Sequence, residues 1–189
     1  MPAVLLLVAV GLLAVLVVRG PDWVGRLSHP LRYETTIAEQ SKANHVDPYL
    51  IAGLIDTESG FREGVVSGAG AVGLMQIKPS TAVAVARDAG ITDKMTTAAL
   101  SVPDTNIRVG TKYFAYLVRR YGGDVQLGLA AYNAGLGNAD RWAAEAQRLH
   151  RPFSESIAFP ETARYVENVL AQQKAYRGLY PNAFAASSK

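Results

Sequence analysis

An all-α domain, with at most a small β-hairpin, is the fold class this sequence predicts. Apolar residues recur at offsets of three and four along most of the chain, the period of a helix packed on one side. Four helical segments open on a proline, at Pro48, Pro79, Pro103 and Pro160. Its fixed φ suits the first turn, where the missing N–H is not needed. No strand-rich stretch, repeat or long low-complexity segment interrupts them.

Residues 3–18 are uninterrupted apolar, with Gly11 and alanines among Val and Leu. As a helix they span roughly 24 Å at about 1.5 Å per residue, close to the ~30 Å hydrocarbon core of a bilayer. A signal peptide and an uncleaved anchor both fit. Met1-Pro2 brings no basic side chain, and Val17-Val18-Arg19-Gly20 is a poor cleavage site, which favours the anchor. Residues 1–19 are therefore read as anchor or signal segment. Residues 20–30, with Pro21 and Pro30, read as a linker, and residues 31–181 as the folded domain.

Within that domain Ile37, Ala38 and Ser41 fit a short first helix. Asp47 caps the next, whose Leu50, Ile51, Leu54, Ile55 and Glu58 share the inner side, while Asp56 points away. Residues 60–73 hold five glycines and no helical period, and predict a loop or small hairpin near residues 64–76. A helix from Pro79 runs through Arg87 and stops at Gly90. From Pro103, Ile107, Gly110, Thr111, Phe114, Leu117 and Val118 form an apolar stripe that Gly122-Gly123 ends. Asp124 starts a short helix through Ala131, which Gly135 and Gly137 break, and Asn138 is placed to cap the next, to Leu149. The helix from Pro160 turns Val166, Val169 and Leu170 inward, and residues 182–189 read as a flexible tail.

Composition narrows the function. Of 189 residues, 49% are hydrophobic, enough for one domain with its own core. Lys and Arg number 19 against 16 Asp and Glu, a net charge of +3. That mild surplus suits an anionic polymer or lipid surface, and without a basic block nucleic acid is not a partner. Absence of cysteine excludes disulfides, thiolate sites and Cys nucleophiles. His29, His45 and His150 are scattered without ligand spacing, so no metal or other cofactor is predicted.

Glu58 is the candidate catalytic residue. Its helix runs out into Ser59-Gly60-Phe61, where a carboxylate can stand at a cleft wall partly out of water. Burial raises a carboxyl pKa, and a Glu protonated near neutral pH is a general acid. Most glycosidases add a second carboxylate. Asp56, two residues away, lies about 200° around the helix, and Glu63 is in the following loop. One carboxyl suffices if the substrate supplies its own nucleophile, as N-acetylmuramic acid does with its acetamido group and 6-hydroxyl. Ser67, Gln76, Tyr132 and Asn133 offer the mixture of ring faces and directed hydrogen bonds that sugars need. Singly, each is also an ordinary turn, cap or core residue.

Five blocks lie in order over about residues 44–172. They are Asp47-Pro48-Tyr49-Leu50-Ile51 through Glu58-Ser59-Gly60-Phe61; Val66-Ser67 with Gly70-Ala71-Val72-Gly73-Leu74-Met75-Gln76-Ile77-Lys78-Pro79; Asp104-Thr105-Asn106-Ile107-Arg108; Ala130-Ala131-Tyr132-Asn133-Ala134-Gly135; and Pro160-Glu161-Thr162-Ala163-Arg164-Tyr165-Val166. Together they resemble the soluble-type lytic transglycosylases, cell-wall enzymes of lysozyme-like fold. The resemblance implies Glu58 as the single acid and base, and Ser67 as the residue orienting the acetamido group. It makes Gly73, Leu74, Met75 and Gln76 one cleft wall, with Met75 and Gln76 towards substrate. Tyr132 and Asn133 form the opposite wall, and Glu161 and Tyr165 line or brace the cleft. Ala163 stands where the family usually has Arg.

The implied reaction cuts the β-1,4 bond between N-acetylmuramic acid and N-acetylglucosamine in peptidoglycan and leaves a 1,6-anhydromuramic end. A muramidase of the same fold, and a non-catalytic wall-binding scaffold of a secretion apparatus, are the alternatives. The implied location is the periplasmic side of a bacterial envelope, beside the membrane that residues 3–18 would enter and any envelope machinery there. Arg19, Arg26 and Arg32 follow that segment, and the positive-inside tendency then favours the opposite orientation.

Overall fold

The computed structural model describes residues 22–185. The helices are α1 (Asp22–Ser28), α2 (Glu34–Asn44), α3 (Pro48–Ser59), α4 (Pro79–Asp88), α5 (Thr97–Leu100), α6 (Pro103–Arg120), α7 (Val125–Ala134), α8 (Leu136–Leu149) and α9 (Pro160–Leu179), with a 3-10 turn at Phe153–Ser156. The expected anchor lies outside the described residues. Among those described, no helix is long and apolar enough to cross a membrane.

Helix α3 is the axis of the core. Asp47 accepts the Tyr49 N–H, Pro48 occupies the first turn, and Gly60 closes the helix at φ +58°. Tyr49 to Ile55 are all buried, because α3 has neighbours on nearly every side. Its main neighbour is α9, which approaches backbone to backbone at Gly53: a Cβ there would lie 2.7 Å from Gln173 N and 2.9 Å from Val169 O. Helices α6 and α7 pack together beside this pair, and Ile107, Phe114, Leu117, Leu129 and Ala130 complete the core with no exposed surface.

The hairpin expected near residues 64–76 is reduced to two isolated antiparallel bridges, Val66 with Val72 and Val72 with Ile77, and no strand forms among the described residues. Gly135 ends α7 as expected, but Gly137 and Asn138 lie inside α8. The Asn138 amide donates to Ala134 O at 2.8 Å, so it ties the two helices together and caps neither.

Two expectations at the edges of the domain differ from the structure. Part of the presumed linker is helix α1, and Arg26 donates from both Nε and Nη2 to Leu179 O at the end of α9. The presumed tail is packed at least as far as Phe184, which is 5% exposed and meets Tyr49 edge-on at 4.9 Å.

Candidate active site

Glu58 lies in the last turn of α3, because Leu54 and Ile55 turn into the core one turn earlier and Gly60 stops the helix just after it. Its carboxyl forms the inner wall of a cleft of about 520 Å³ lined also by Ser67, Gln76, Lys78, Thr81, Tyr113, Tyr132 and Asn133. Burial pushes the Glu58 pKa up from 4.5 to about 7, against the opposing effect of the Tyr165 hydroxyl. That hydroxyl donates to Glu58 Oε1 at 2.5 Å. A hydrogen bond to the charged form favours it, and desolvation outweighs that bond here. The negative end of α3 acts in the same direction as desolvation.

The wall made by residues 65–77 is held from beneath. Asn106, fully buried on α6, accepts Met75 N at 2.7 Å and donates to Val72 O and Leu100 O, each at 2.8 Å. Gly73 sits directly over it at φ +76°, where a Cβ would fall 2.4 Å from Asn106 Nδ2. From α3, Ser59 Oγ donates to Leu74 O at 2.8 Å. Gln76 takes a left-handed backbone, φ +46°, and its Nε2 donates to Val65 O and Gly73 O. Its side-chain carbonyl is left for the cleft. Ser67 Oγ accepts the Ala71 N–H at 3.0 Å, which leaves the hydroxyl proton to give.

The opposite wall belongs to α7. Tyr132 donates to Met75 O at 2.7 Å and so braces one wall against the other. Thr162, on α9, donates to Asn133 Oδ1 at 2.8 Å and leaves the Asn133 amide nitrogen open. Burial pushes the Tyr132 and Tyr165 hydroxyls well above their ordinary pKa, so both remain donors.

Glu58, Ser67, Gln76, Tyr132 and Asn133 therefore meet in one cleft. Leu74 and Met75 do not face it: both side chains are fully buried, and the Met75 sulfur packs over Gly110 and near Thr111 Oγ1. Ser59 holds Leu74 O and Asn106 holds Met75 N, so this part of the turn is pressed onto α3 and α6. Tyr165 stands behind Glu58, and Glu161 is exposed at the start of α9, outside the cleft lining. Lys78, Thr81 and Tyr113 line the cleft without having been singled out from the sequence. Lys78 follows Gln76 closely in the matched block, but Tyr113 is one position off the α6 stripe and carries no signal of its own.

The other carboxylates are engaged elsewhere. Asp56 faces Tyr176 and His29 on the far side of α3, and Glu63 pairs with Arg32 at 3.0 Å and with the Tyr33 hydroxyl. Among the described residues no group of three His, Cys, Asp or Glu is placed to hold a metal ion.

The sequence profile of the transglycosylase SLT domain matches residues 35–152. The chain belongs to the transglycosylase SLT domain family. This SLT domain is 36% identical over 150 residues to the soluble lytic murein transglycosylase of Salmonella typhimurium, which covers 78% of the chain and 23% of that protein. It is 45% identical over 73 residues to the endo-type membrane-bound lytic murein transglycosylase A of Klebsiella pneumoniae, covering 38% of the chain and 36% of that protein. The 70 kDa soluble lytic transglycosylase of Escherichia coli shares its fold with a TM-score of 0.77 and 32% identity, over 82% of this chain and 25% of that one. The fold is thus the lysozyme-like all-α fold. The SLT domain chain spans about a quarter of the length of the Salmonella and Escherichia proteins.

Proposed function

We propose that this SLT domain is a peptidoglycan lytic transglycosylase in which Glu58 is the single acid and base. What carries the reading is one buried carboxyl, with a pKa raised to about 7, in a cleft lined by no second carboxylate among the described residues. Glu58 gives its proton to the glycosidic oxygen, and the N-acetylglucosamine side leaves as an alcohol. The acetamido oxygen of N-acetylmuramic acid closes on C1 as that bond breaks. The 6-hydroxyl of the same sugar then attacks C1, releases the acetamido oxygen and returns its proton to Glu58. No water enters, and the product ends in 1,6-anhydromuramic acid.

The neighbours support these steps. The free Ser67 hydroxyl suits the acetamido carbonyl, and the Gln76 carbonyl and Asn133 amide nitrogen suit sugar hydroxyl and amide groups across the cleft. Tyr165 keeps the Glu58 pKa from rising so far that the carboxyl would be a poor proton donor to the leaving oxygen. Relatives named as soluble and as membrane-bound murein transglycosylases support the substrate class and an envelope location. Residues 3–18 are proposed as the tether to the membrane, and an envelope-spanning secretion assembly as a neighbour there. Salt- and carbonate-resistant pelleting of the full chain with membranes checks the tether.

Digestion of purified peptidoglycan with mass analysis of the muropeptides tests the reaction. Products without added water are expected, and reducing ends carrying one water would sink the non-hydrolytic reading. Glu58→Gln keeps the shape and removes the proton, and is expected to slow digestion by roughly 10²-fold or more.

A further inference from the structure

Helix α1 is held to the domain along one side. Gly25 packs against the Leu179 side chain, and Arg26 donates twice to Leu179 O and lies over the Tyr180 ring at 4.9 Å. The Tyr180 hydroxyl fastens the turn after α1 through His29 O. The outer side is uncovered. Leu27 is 75% exposed, the most exposed large hydrophobic side chain among the described residues. One exposed leucine is ordinary on a protein surface. This one follows the apolar run 3–18 closely, and only residues 19–21 separate that run from α1.

Charge at this corner is nearly of one sign. Residues 23–33 and 168–185, the two segments that meet there, hold Arg26, Arg32, Lys174 and Arg177 and no Asp or Glu. Asp22 is the only acid of α1. Arg32 is paired with Glu63, and Arg177 with Asp47. Arg26 keeps its charge, because its partner is a neutral carbonyl. Lys174, exposed one turn back along α9, has no ion pair among the described residues. An exposed leucine and an arginine with a packed stem, on a short helix just after an apolar run, suit the boundary between lipid chains and headgroups. An anionic surface also draws the cations left unneutralised.

We infer that the α1 corner rests on the anionic face of a phospholipid bilayer, with Leu27 entering the headgroup layer. This docking rests on the tether proposed above for residues 3–18, and adds to it. A flexible linker would let the cleft swing about its attachment. A helix pinned to α9 removes that freedom and fixes how the domain stands on the lipid. Glu58 is then held at about the distance that α9 spans from Leu179 to Tyr165, roughly 21 Å, from the docked corner. Strands lying close to the bilayer are the ones it reaches.

The sequence has no cysteine, so Leu27→Cys and Val83→Cys each give a single site for a polarity-sensitive dye. Val83, 56% exposed on α4, is the reference position. The labelled full chain, its folding verified by helical content, is reconstituted with vesicles of phosphatidylglycerol and phosphatidylcholine, or of phosphatidylcholine alone. Pelleting reports the tether, and the dye reports the docking. On anionic vesicles the dye at Leu27 is expected to shift to the blue and to be quenched by acyl-chain nitroxides. Its quenching by acrylamide should fall about fivefold below that at Val83, and by less on neutral vesicles or at high salt. A chain that pellets while its Leu27 dye stays as open to acrylamide as that at Val83 overturns the docking and leaves the tether standing. Equal shielding on both kinds of vesicle overturns the assignment to an anionic surface. Shielding without vesicles gives this face to a second copy of the chain and overturns the inference. A chain that pellets with neither vesicle takes down the tether, and the docking with it.

Discussion

On the proposed mechanism, the protonation of Glu58 sets both a rate and a stability. With its pKa near 7, the acid form is present below that pH, so cleavage is expected to fall about tenfold per pH unit above it. Tyr165→Phe removes the bond that favours the carboxylate, and the fall should move to higher pH by roughly one unit, read from the pH profile of kcat/KM. The same shift has a structural cost. A carboxyl whose folded pKa is raised contributes stability below its unfolded value of 4.5, and that contribution is lost as pH rises through 7. Glu58→Gln should therefore be more stable than the parent at pH 8, by about 1–3 kcal/mol, with little difference at pH 4, measured by urea unfolding. Glu58 itself was legible in the sequence, because helix period and a stop glycine bear on its own position. Tyr165, 107 residues on, came from a matched block, and no local pattern could have joined the two. Met75 went the other way: Gln76 beside it faces the cleft, and it does not.

At the scale of elements, the cleft wall depends on one side chain from another helix. Asn106 satisfies a donor and two acceptors of residues 72–100 from a buried position on α6. Asn106→Ala takes this partner from Met75 N and Leu100 O and leaves Val72 O only the Ile77 N–H, and is expected to cost about 3 kcal/mol in urea unfolding and to raise KM more than it lowers kcat. Proline and cap signals made α3, α4, α6, α7 and α9 readable, since each first turn is decided locally. The stretch over residues 60–78 was not, because its conformation is fixed by Asn106 and Ser59 from below rather than by its own period. Helix α5 has four residues and too few positions to show a period at all.

Across the whole molecule, the first and last described segments are joined. Arg26 holds Leu179, the Tyr180 hydroxyl donates to His29 O at 2.9 Å, and the Tyr49 hydroxyl donates to Tyr180 O at 2.7 Å. Phe184 seals this corner, and Phe184→Ala is expected to lower stability by about 2–3 kcal/mol without altering the pH profile, by urea unfolding and activity side by side. Linker-like composition hid α1, because seven residues with one basic group in the last turn gain their order from α9 and not from themselves. Helix α9 then runs as a strut. Tyr165 near its start touches the Glu58 carboxyl, and Leu179 at its end, about 21 Å away, receives the incoming chain. Entry and exit of the described backbone share one corner of the domain, a helix length from Glu58. A domain wired in this way is a cassette: a longer polypeptide can carry it through a single docking corner, and its cleft, at the other end of the strut, stays open.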